Sequence, residues 1–203
     1  MMRRDRSSDR GFSLIEIMIV VGITCVVAVI SVPMMANTLG FFRLSGDARS
    51  VSNSMAVAKM RAASVFSRTR LHADLVGRSH YLETWDKTLN MGAGGWKAEG
   101  GTTYLSSNVN FTYSPVTSAP PNTQGTISQA AACTDDMGMP IGNTACLIFN
   151  SRGVPVRASD FSPTVDAIYV SDGTAIYGVT VVATGMIRLW RTNPASTPTW
   201  VLN

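Results

Sequence analysis

The chain has 203 residues, enough for one compact domain and a membrane anchor but too few for two large domains. Its 17 Lys and Arg residues against 13 Asp and Glu residues give a formal net charge of +4. Four of these arginines precede the first apolar segment, namely Arg3, Arg4, Arg6 and Arg10. The charge that remains is too small and too dispersed to indicate nucleic-acid binding by itself.

The first element along the chain is an apolar segment, residues 12–36, in which Glu16 is the only charged side chain. It exceeds the ~18 residues that a membrane-spanning helix requires. Because the arginines precede it, the positive-inside rule predicts a cytoplasmic N-terminus and a periplasmic or extracellular head beyond residue 36. We therefore expect a single-pass protein whose anchor lies in membrane lipid.

A small residue, Gly11, stands before the apolar segment, whereas the cleavage site of an ordinary secretory signal follows it. Cleavage between Gly11 and Phe12 would remove residues 1–11 as a leader and leave a new amine on Phe12. Glu16 lies one helical turn further on, and a carboxylate in the bilayer core costs roughly 2.5 to 3.5 kcal/mol. The amine of Phe12 in the same subunit or in a neighbouring subunit can neutralise it. The alternative is a plain anchor in which Glu16 reaches the interface.

The segment Arg10-Gly11-Phe12-Ser13-Leu14-Ile15-Glu16 resembles the class III signal of type IV prepilins. That resemblance implies cleavage between Gly11 and Phe12 by prepilin peptidase, N-methylation of Phe12 and a role for Glu16 in filament assembly. Pro33 falls where many pilins have a proline that kinks the N-terminal helix. A proline there removes a backbone hydrogen bond, which predicts a bend near residues 29–31.

The next element, residues 37–67, is predicted to be the amphipathic half of the N-terminal helix. Apolar residues recur at spacings of three and four, at Leu44, Ala48, Val51, Met55, Ala58, Ala62 and Val65. This stripe indicates a helix over about residues 41–67 that packs one side against a sheet. A free-standing coiled coil is the alternative, but the small alanines favour close packing on strands.

Residues 68–203 are predicted to form a β-rich head, because Thr, Val, Tyr, Trp and Gly dominate short runs broken by turn residues. Gly77-Arg78 and Asp172-Gly173 are predicted hairpin turns, and residues 114–143 a long loop. Cys25 lies in the apolar segment, so the exported Cys133 and Cys146 are predicted to form a disulfide. The predicted strands are residues 71–76, 80–85, 96–98, 108–113, 147–150, 166–171, 175–183 and 186–191.

Three local features resemble the FimT/GspH group of minor pilins and type II secretion pseudopilins: the segment 58–62 (Ala-Lys-Met-Arg-Ala), the pair Gly95-Trp96 and the segment 185–188 (Gly-Met-Ile-Arg). This resemblance implies an α+β pilin fold, in which a long N-terminal helix, half of it transmembrane, packs on an antiparallel sheet. It implies a structural subunit at the tip or initiation complex of a type IV pilus or a type II secretion pseudopilus. The implied partners are other minor and major pilins or pseudopilins and the inner-membrane assembly platform, with the head in the periplasm. An abundant major pilin is a less favoured alternative.

Some members of that group bind DNA through a C-terminal Gly-Arg-x-Arg motif, which makes DNA uptake the alternative function. Met186 replaces the first arginine here, while Arg188 and Arg191 remain beside Trp190. Positions three apart in a strand face opposite sides unless a bulge intervenes, so the two arginines need not form one patch. A solvated edge is the other interpretation of these arginines.

Other polar residues give weaker indications. Five basic residues could mark a docking face or could simply be exposed: Lys59, Arg61, Arg68, Arg70 and Arg78. Asp135-Asp136 indicates a turn, since two adjacent carboxylates supply too few ligands for calcium. His72 and His80 are the only histidines, and no catalytic spacing accompanies them. We predict no enzyme, no catalytic residue, no cofactor and no metal.

Overall fold

The structure is a computed structural model that describes residues 12–203, without the side chains of residues 32–34, 36 and 37. It divides into two compact units. The anchor unit ends at Phe41, and the globular unit is Phe42–Asn203. The predicted leader, residues 1–11, lies outside the described residues.

One helix, α1, covers Leu14–Ser64 and contributes to both units. It ends three residues before the predicted boundary because Phe66 adopts a left-handed conformation with φ of 50°. The N–H of Ser67 then bonds the carbonyl of Ala62 at 3.3 Å, a capping arrangement in which glycine usually holds the left-handed position.

The strands form two antiparallel sheets within the globular unit. The first sheet has the order β3-β2-β1-β4-β5, and the second the order β6-β7-β8-β9. Adjacent strands are antiparallel throughout both sheets, which confirms the predicted α+β architecture. A short 3-10 turn, Asn90–Gly92, precedes β3. The strands are β1 Thr69–Asp74, β2 Ser79–Asp86, β3 Gly95–Tyr104, β4 Thr144–Phe149, β5 Pro155–Val156, β6 Asp166–Ser171, β7 Ile176–Val181, β8 Ile187–Thr192 and β9 Val201–Leu202.

The apolar stripe of α1 forms the centre of the globular unit's core. Leu44, Val51 and Met55 are fully buried, as are the alanines at 48, 58 and 62. They belong to one apolar cluster with side chains of both sheets, among them Leu71 of β1 and Val179 of β7. The prediction that this helix packs on strands is confirmed.

The prediction of a strand over residues 108–113 is wrong. Only Asn110 makes a β-bridge, to Ser171 at the end of β6. Val109 and Phe111 alternate with polar residues because both side chains are buried in the core, and not because the segment belongs to a sheet. The sequence analysis also missed β5 and β9, which have two residues each and therefore carry no detectable alternation.

Candidate processing and assembly site

The start of α1 places an acidic residue in the first helical turn. The Ser13 carbonyl accepts hydrogen bonds from the N–H groups of Glu16 (3.0 Å) and Ile17 (3.2 Å). Phe12 is 80% exposed and precedes this turn. Glu16 therefore lies where the helix dipole favours negative charge. Gly11 lies outside the described residues, so cleavage at Gly11/Phe12 and the pairing of Glu16 stay predictions.

The segment that follows can cross a membrane by length and composition. Residues Leu14–Ser31 form the one candidate span found among the described residues. Large apolar side chains such as Ile15, Val26 and Ile30 are more than half exposed. The two hydroxyls of Thr24 and Ser31 bond carbonyls of the preceding turn, at 2.9 and 2.8 Å. Such internal pairing suits a helix surrounded by lipid, where a polar group finds no water.

Pro33 lies inside α1, and its side chain is outside the described residues. The bend predicted near residues 29–31 stays a prediction. The compact units divide between Phe41 and Phe42, five residues beyond the predicted end of the transmembrane half at residue 36.

The globular unit contains a buried polar cluster on the face of the first sheet that points away from α1. The Arg70 Nε donates to Glu83 Oε2 at 2.6 Å, and His72 Nδ1 donates to the same oxygen at 3.0 Å. Arg70 also donates to the Thr134 carbonyl at 2.7 Å and lies 4.0 Å from the ring centroid of Trp96. Burial would raise the pKa of Glu83, but the hydrogen bonds from His72 and Arg70 outweigh it and hold that pKa below its usual value.

The disulfide between Cys133 and Cys146 lies beside this cluster. It is present as the sequence analysis predicts, with a Cα–Cα distance of 4.7 Å. Cys146 of β4 is the direct cross-strand partner of His72 of β1. The disulfide therefore fixes the loop that ends at β4 against the same face that carries Arg70, His72 and Glu83.

The five basic residues do not form one docking face. Arg70 is buried, and Lys59 donates to the Gly185 carbonyl at 2.9 Å. Arg61 pairs with Glu99 at 2.6 Å, and the Arg68 guanidinium carbon lies 4.4 Å from the ring centroid of Trp85. Burial removes Arg70 from any exposed face, while Arg78 is exposed. A docking face that includes the other four cations stays a prediction.

Arg188 and Arg191 lie on opposite faces of β8. The pairing of β7 with β8 is continuous from Ile187 to Thr192, so no bulge brings the two arginines to one side. Leu189 shares the face of Arg191 and packs against the main core, whereas Trp190 shares the face of Arg188. DNA binding at these arginines stays a prediction. A gel-shift assay at low salt with the Arg188→Ala/Arg191→Ala variant would test it.

Asp135 and Asp136 are engaged in local hydrogen bonds, which agrees with the turn interpretation. The Asp135 carboxylate accepts the N–H groups of Met137 (2.9 Å) and Met139 (2.8 Å). The Asp136 carboxylate accepts the N–H of Trp96 at 2.8 Å, and this bond holds the pKa of Asp136 below its usual value.

Comparison with known proteins supports the N-terminal assignment. Residues 6–32 match the family model of the prokaryotic N-terminal methylation motif. No curated protein matches the chain. Among solved structures, the chain is similar to the minor pseudopilin EpsH from the type 2 secretion system of Vibrio cholerae, at 11% identity and a TM-score of 0.36, over 79% of this chain and 96% of that chain. A likeness at this TM-score is too slight for an argument about fold.

The chain thus has an N-terminal methylation motif, an apolar helix that begins within this motif, and an antiparallel β unit that follows the helix.

Proposed function

We propose that the chain is a minor pilin or pseudopilin, a structural subunit of the tip or initiation complex of a type IV pilus or a type II secretion pseudopilus. The observation that carries this proposal is the methylation motif of residues 6–32, whose acidic residue lies in the first turn of an apolar helix. The role is structural and not catalytic, as is typical of this class.

Maturation begins with prepilin peptidase. Cleavage of the Gly11–Phe12 bond removes a leader that carries four arginines, and these arginines hold the N-terminus on the cytoplasmic side beforehand. The apolar helix remains on the mature chain, anchored in the inner membrane with the globular unit in the periplasm. The new amine of Phe12 is then N-methylated and keeps its positive charge.

Assembly depends on that amine and on Glu16. A carboxylate in the bilayer is costly until it meets an opposite charge, so two subunits attract each other when the Phe12 amine of one approaches Glu16 of the other. The pairing sets the axial register between neighbouring helices. The assembly platform then extracts the subunit, and the exposed apolar side chains of residues 14–31 move from lipid into contact with other subunits.

Mass spectrometry and a set of variants test this proposal. The membrane-extracted chain is expected to begin with N-methylated Phe12, and any other first residue would refute the maturation step. Glu16→Ala and Glu16→Gln should be processed normally but enter filaments poorly. Thr24→Val is the matched control, because the Thr24 hydroxyl is already bonded within the helix. Wild-type filament number and secretion with Glu16→Gln would contradict the pairing role.

Subunit abundance tests the position in the filament. A tip or initiation subunit should be present in sheared filaments at a small fraction of the major subunit. If it instead makes up most of the filament mass, the chain is a major pilin.

A further inference from the structure

The structure brings three potential metal ligands together within the globular unit. The ligand atoms of His72, Cys133 and Cys146 lie within 4.8 Å of one another, and all three residues are buried. We propose that the reduced form of the chain binds one Zn²⁺ ion through the imidazole of His72 and the thiolates of Cys133 and Cys146. The disulfide and the metal site are thus alternative closures of the same loop.

The backbone holds both cysteines in place without the sulfur–sulfur bond. The N–H of Cys133 donates to the Thr144 hydroxyl at 3.0 Å, and the N–H of Cys146 donates to the Ala131 carbonyl at 2.8 Å. The Cys133 carbonyl also accepts the N–H of Ile141. With Zn–S bonds of about 2.3 Å, tetrahedral geometry separates two sulfurs by about 3.8 Å. Side-chain rotation at a Cα–Cα distance of 4.7 Å provides that separation.

One ring nitrogen of His72 is held by a carboxylate, as in many metal-binding histidines. Its Nδ1 donates to the Glu83 carboxylate at 3.0 Å, which leaves Nε2 as the nitrogen for coordination. The ring also stacks on Tyr81, with 4.6 Å between ring centroids. Glu83 is fixed in turn by Arg70. A carboxylate that holds the second nitrogen of a ligating histidine sets its tautomer and orientation in zinc proteins.

The charge and access of the site fit a divalent cation. Two thiolates neutralise Zn²⁺, while a neutral imidazole completes three protein ligands and leaves a fourth position for water. A cavity of about 450 Å³ adjoins the site and is lined by residues that include Thr134, Pro140 and Cys146.

The chemistry balances with a dithiol as reductant. The dithiol gives two electrons and two protons to the disulfide and itself becomes a disulfide, so Cys133 and Cys146 become thiols. Binding of Zn²⁺ then displaces both thiol protons to solvent. A disulfide oxidant would take two electrons from the thiolates and two protons from solvent to become a dithiol, which releases the ion and restores the Cys133–Cys146 disulfide.

The test uses the full mature chain in detergent with a Cys25→Ala background, which removes the third thiol. After reduction and anaerobic removal of the dithiol, Co²⁺ is titrated as a spectroscopic probe and then displaced with Zn²⁺. We expect one Co²⁺ per chain, with thiolate charge-transfer absorption and intense tetrahedral ligand-field bands. The disulfide-bonded chain should show neither. If the reduced chain gives no thiolate–cobalt absorption, the proposal is refuted.

Variants separate the proposed site from adventitious thiol binding. His72→Gln should abolish the tetrahedral bands, whereas Glu83→Gln should keep them but weaken the affinity by about 10- to 100-fold. His80→Gln is the matched control, because His80 is opposite Ala73 and faces the main core. Near-UV circular dichroism of each oxidised variant verifies its fold. If His72→Gln folds and binds Co²⁺ with the wild-type spectrum and affinity, the proposal is also refuted.

Discussion

The ion pair between Arg70 and Glu83 offers a direct measurement of how burial changes the value of one contact. Its Nε–Oε2 distance is 2.6 Å, the same as in the pair between Arg61 and Glu99. The side chains of the first pair are 2% and 12% exposed, and those of the second are 46% and 28% exposed. Arg61 also donates a second hydrogen bond to Glu99 at 3.0 Å, so a smaller contribution from that pair to the free energy of unfolding reflects its exposure to water.

We expect Glu83→Gln to lower the free energy of unfolding by about 3 to 5 kcal/mol, because Arg70 is left charged and buried without its counter-ion. Glutamine keeps the shape of glutamate, so no cavity contributes. Glu99→Gln should cost only about 0.2 to 1 kcal/mol, since water screens the Arg61 charge. The double variant Arg70→Met/Glu83→Gln should be more stable than Glu83→Gln alone, because it leaves no unpaired charge.

The pH dependence gives a second signature of the same pair. The pKa of Glu83 lies below its ordinary value of 4.5 in the folded chain, so its carboxylate stabilises the fold above that pH. The stabilisation is lost as pH falls through the lowered folded pKa. The difference in stability between the wild type and Glu83→Gln should therefore shrink in acid.

Urea unfolding of the mature chain in detergent, followed by tryptophan fluorescence, measures these effects. All four tryptophans lie in the globular unit, at positions 85, 96, 190 and 200, so the signal reports that unit. If Glu83→Gln loses no more stability than Glu99→Gln, the argument from burial is wrong. If the double variant is less stable than Glu83→Gln, the unpaired-charge explanation fails.

Three further predictions concern the globular unit, and the same unfolding assay checks each. Burial raises the pKa of Asp166 from its ordinary value of 3.8 to about 6. The protonated form therefore stabilises the fold below pH 3.8, and this stabilisation is lost as the pH rises through about 6. At pH 7, Asp166→Asn should therefore have a higher free energy of unfolding than the wild type. The gain should be at most about 3 kcal/mol because Asp166 is only half-buried, and no gain is expected at pH 3. Met55→Ala should lower the free energy of unfolding by about 2 to 5 kcal/mol because Met55 is fully buried. The control Met60→Ala should change it by less than about 0.5 kcal/mol because Met60 is 63% exposed. Tyr169→Phe should cost about 1 kcal/mol because it removes the hydrogen bond from the Tyr169 hydroxyl to Gln124.

Local periodicity predicted the elements whose packing depends on their own sequence. The stripe of α1 repeats at helical spacing over several turns, so its buried side follows from the sequence alone. The predicted bounds of residues 166–171 coincide with β6, because Asp172 and Gly173 mark the turn that ends it. Alternation failed at residues 108–113, where Val109 and Phe111 fill the core from a loop.

The buried cluster was beyond local reasoning because its burial depends on a distant segment. Arg70, His72 and Asp74 alternate with apolar residues in β1, a pattern that normally marks the solvent face of a strand. The structure buries Arg70 and His72 because the loop before β4 covers that face, and Thr134 of this loop accepts the Arg70 hydrogen bond. Predicting this required the register that places His72 opposite Cys146.

The disulfide loop therefore determines the environment of the first sheet as well as closing a segment of chain. One face of β1 is covered by α1 through Leu71 and Ala73, and the other is covered by the loop that Cys133 ties to β4. A sheet covered on both faces can hold charged side chains inside only if they are paired, as Arg70 and Glu83 are. Any opening of the loop would expose that pair to water and lower its contribution to stability. A bound cation would keep the loop closed. Tighter cation binding should therefore accompany a larger contribution of the buried pair to the free energy of unfolding.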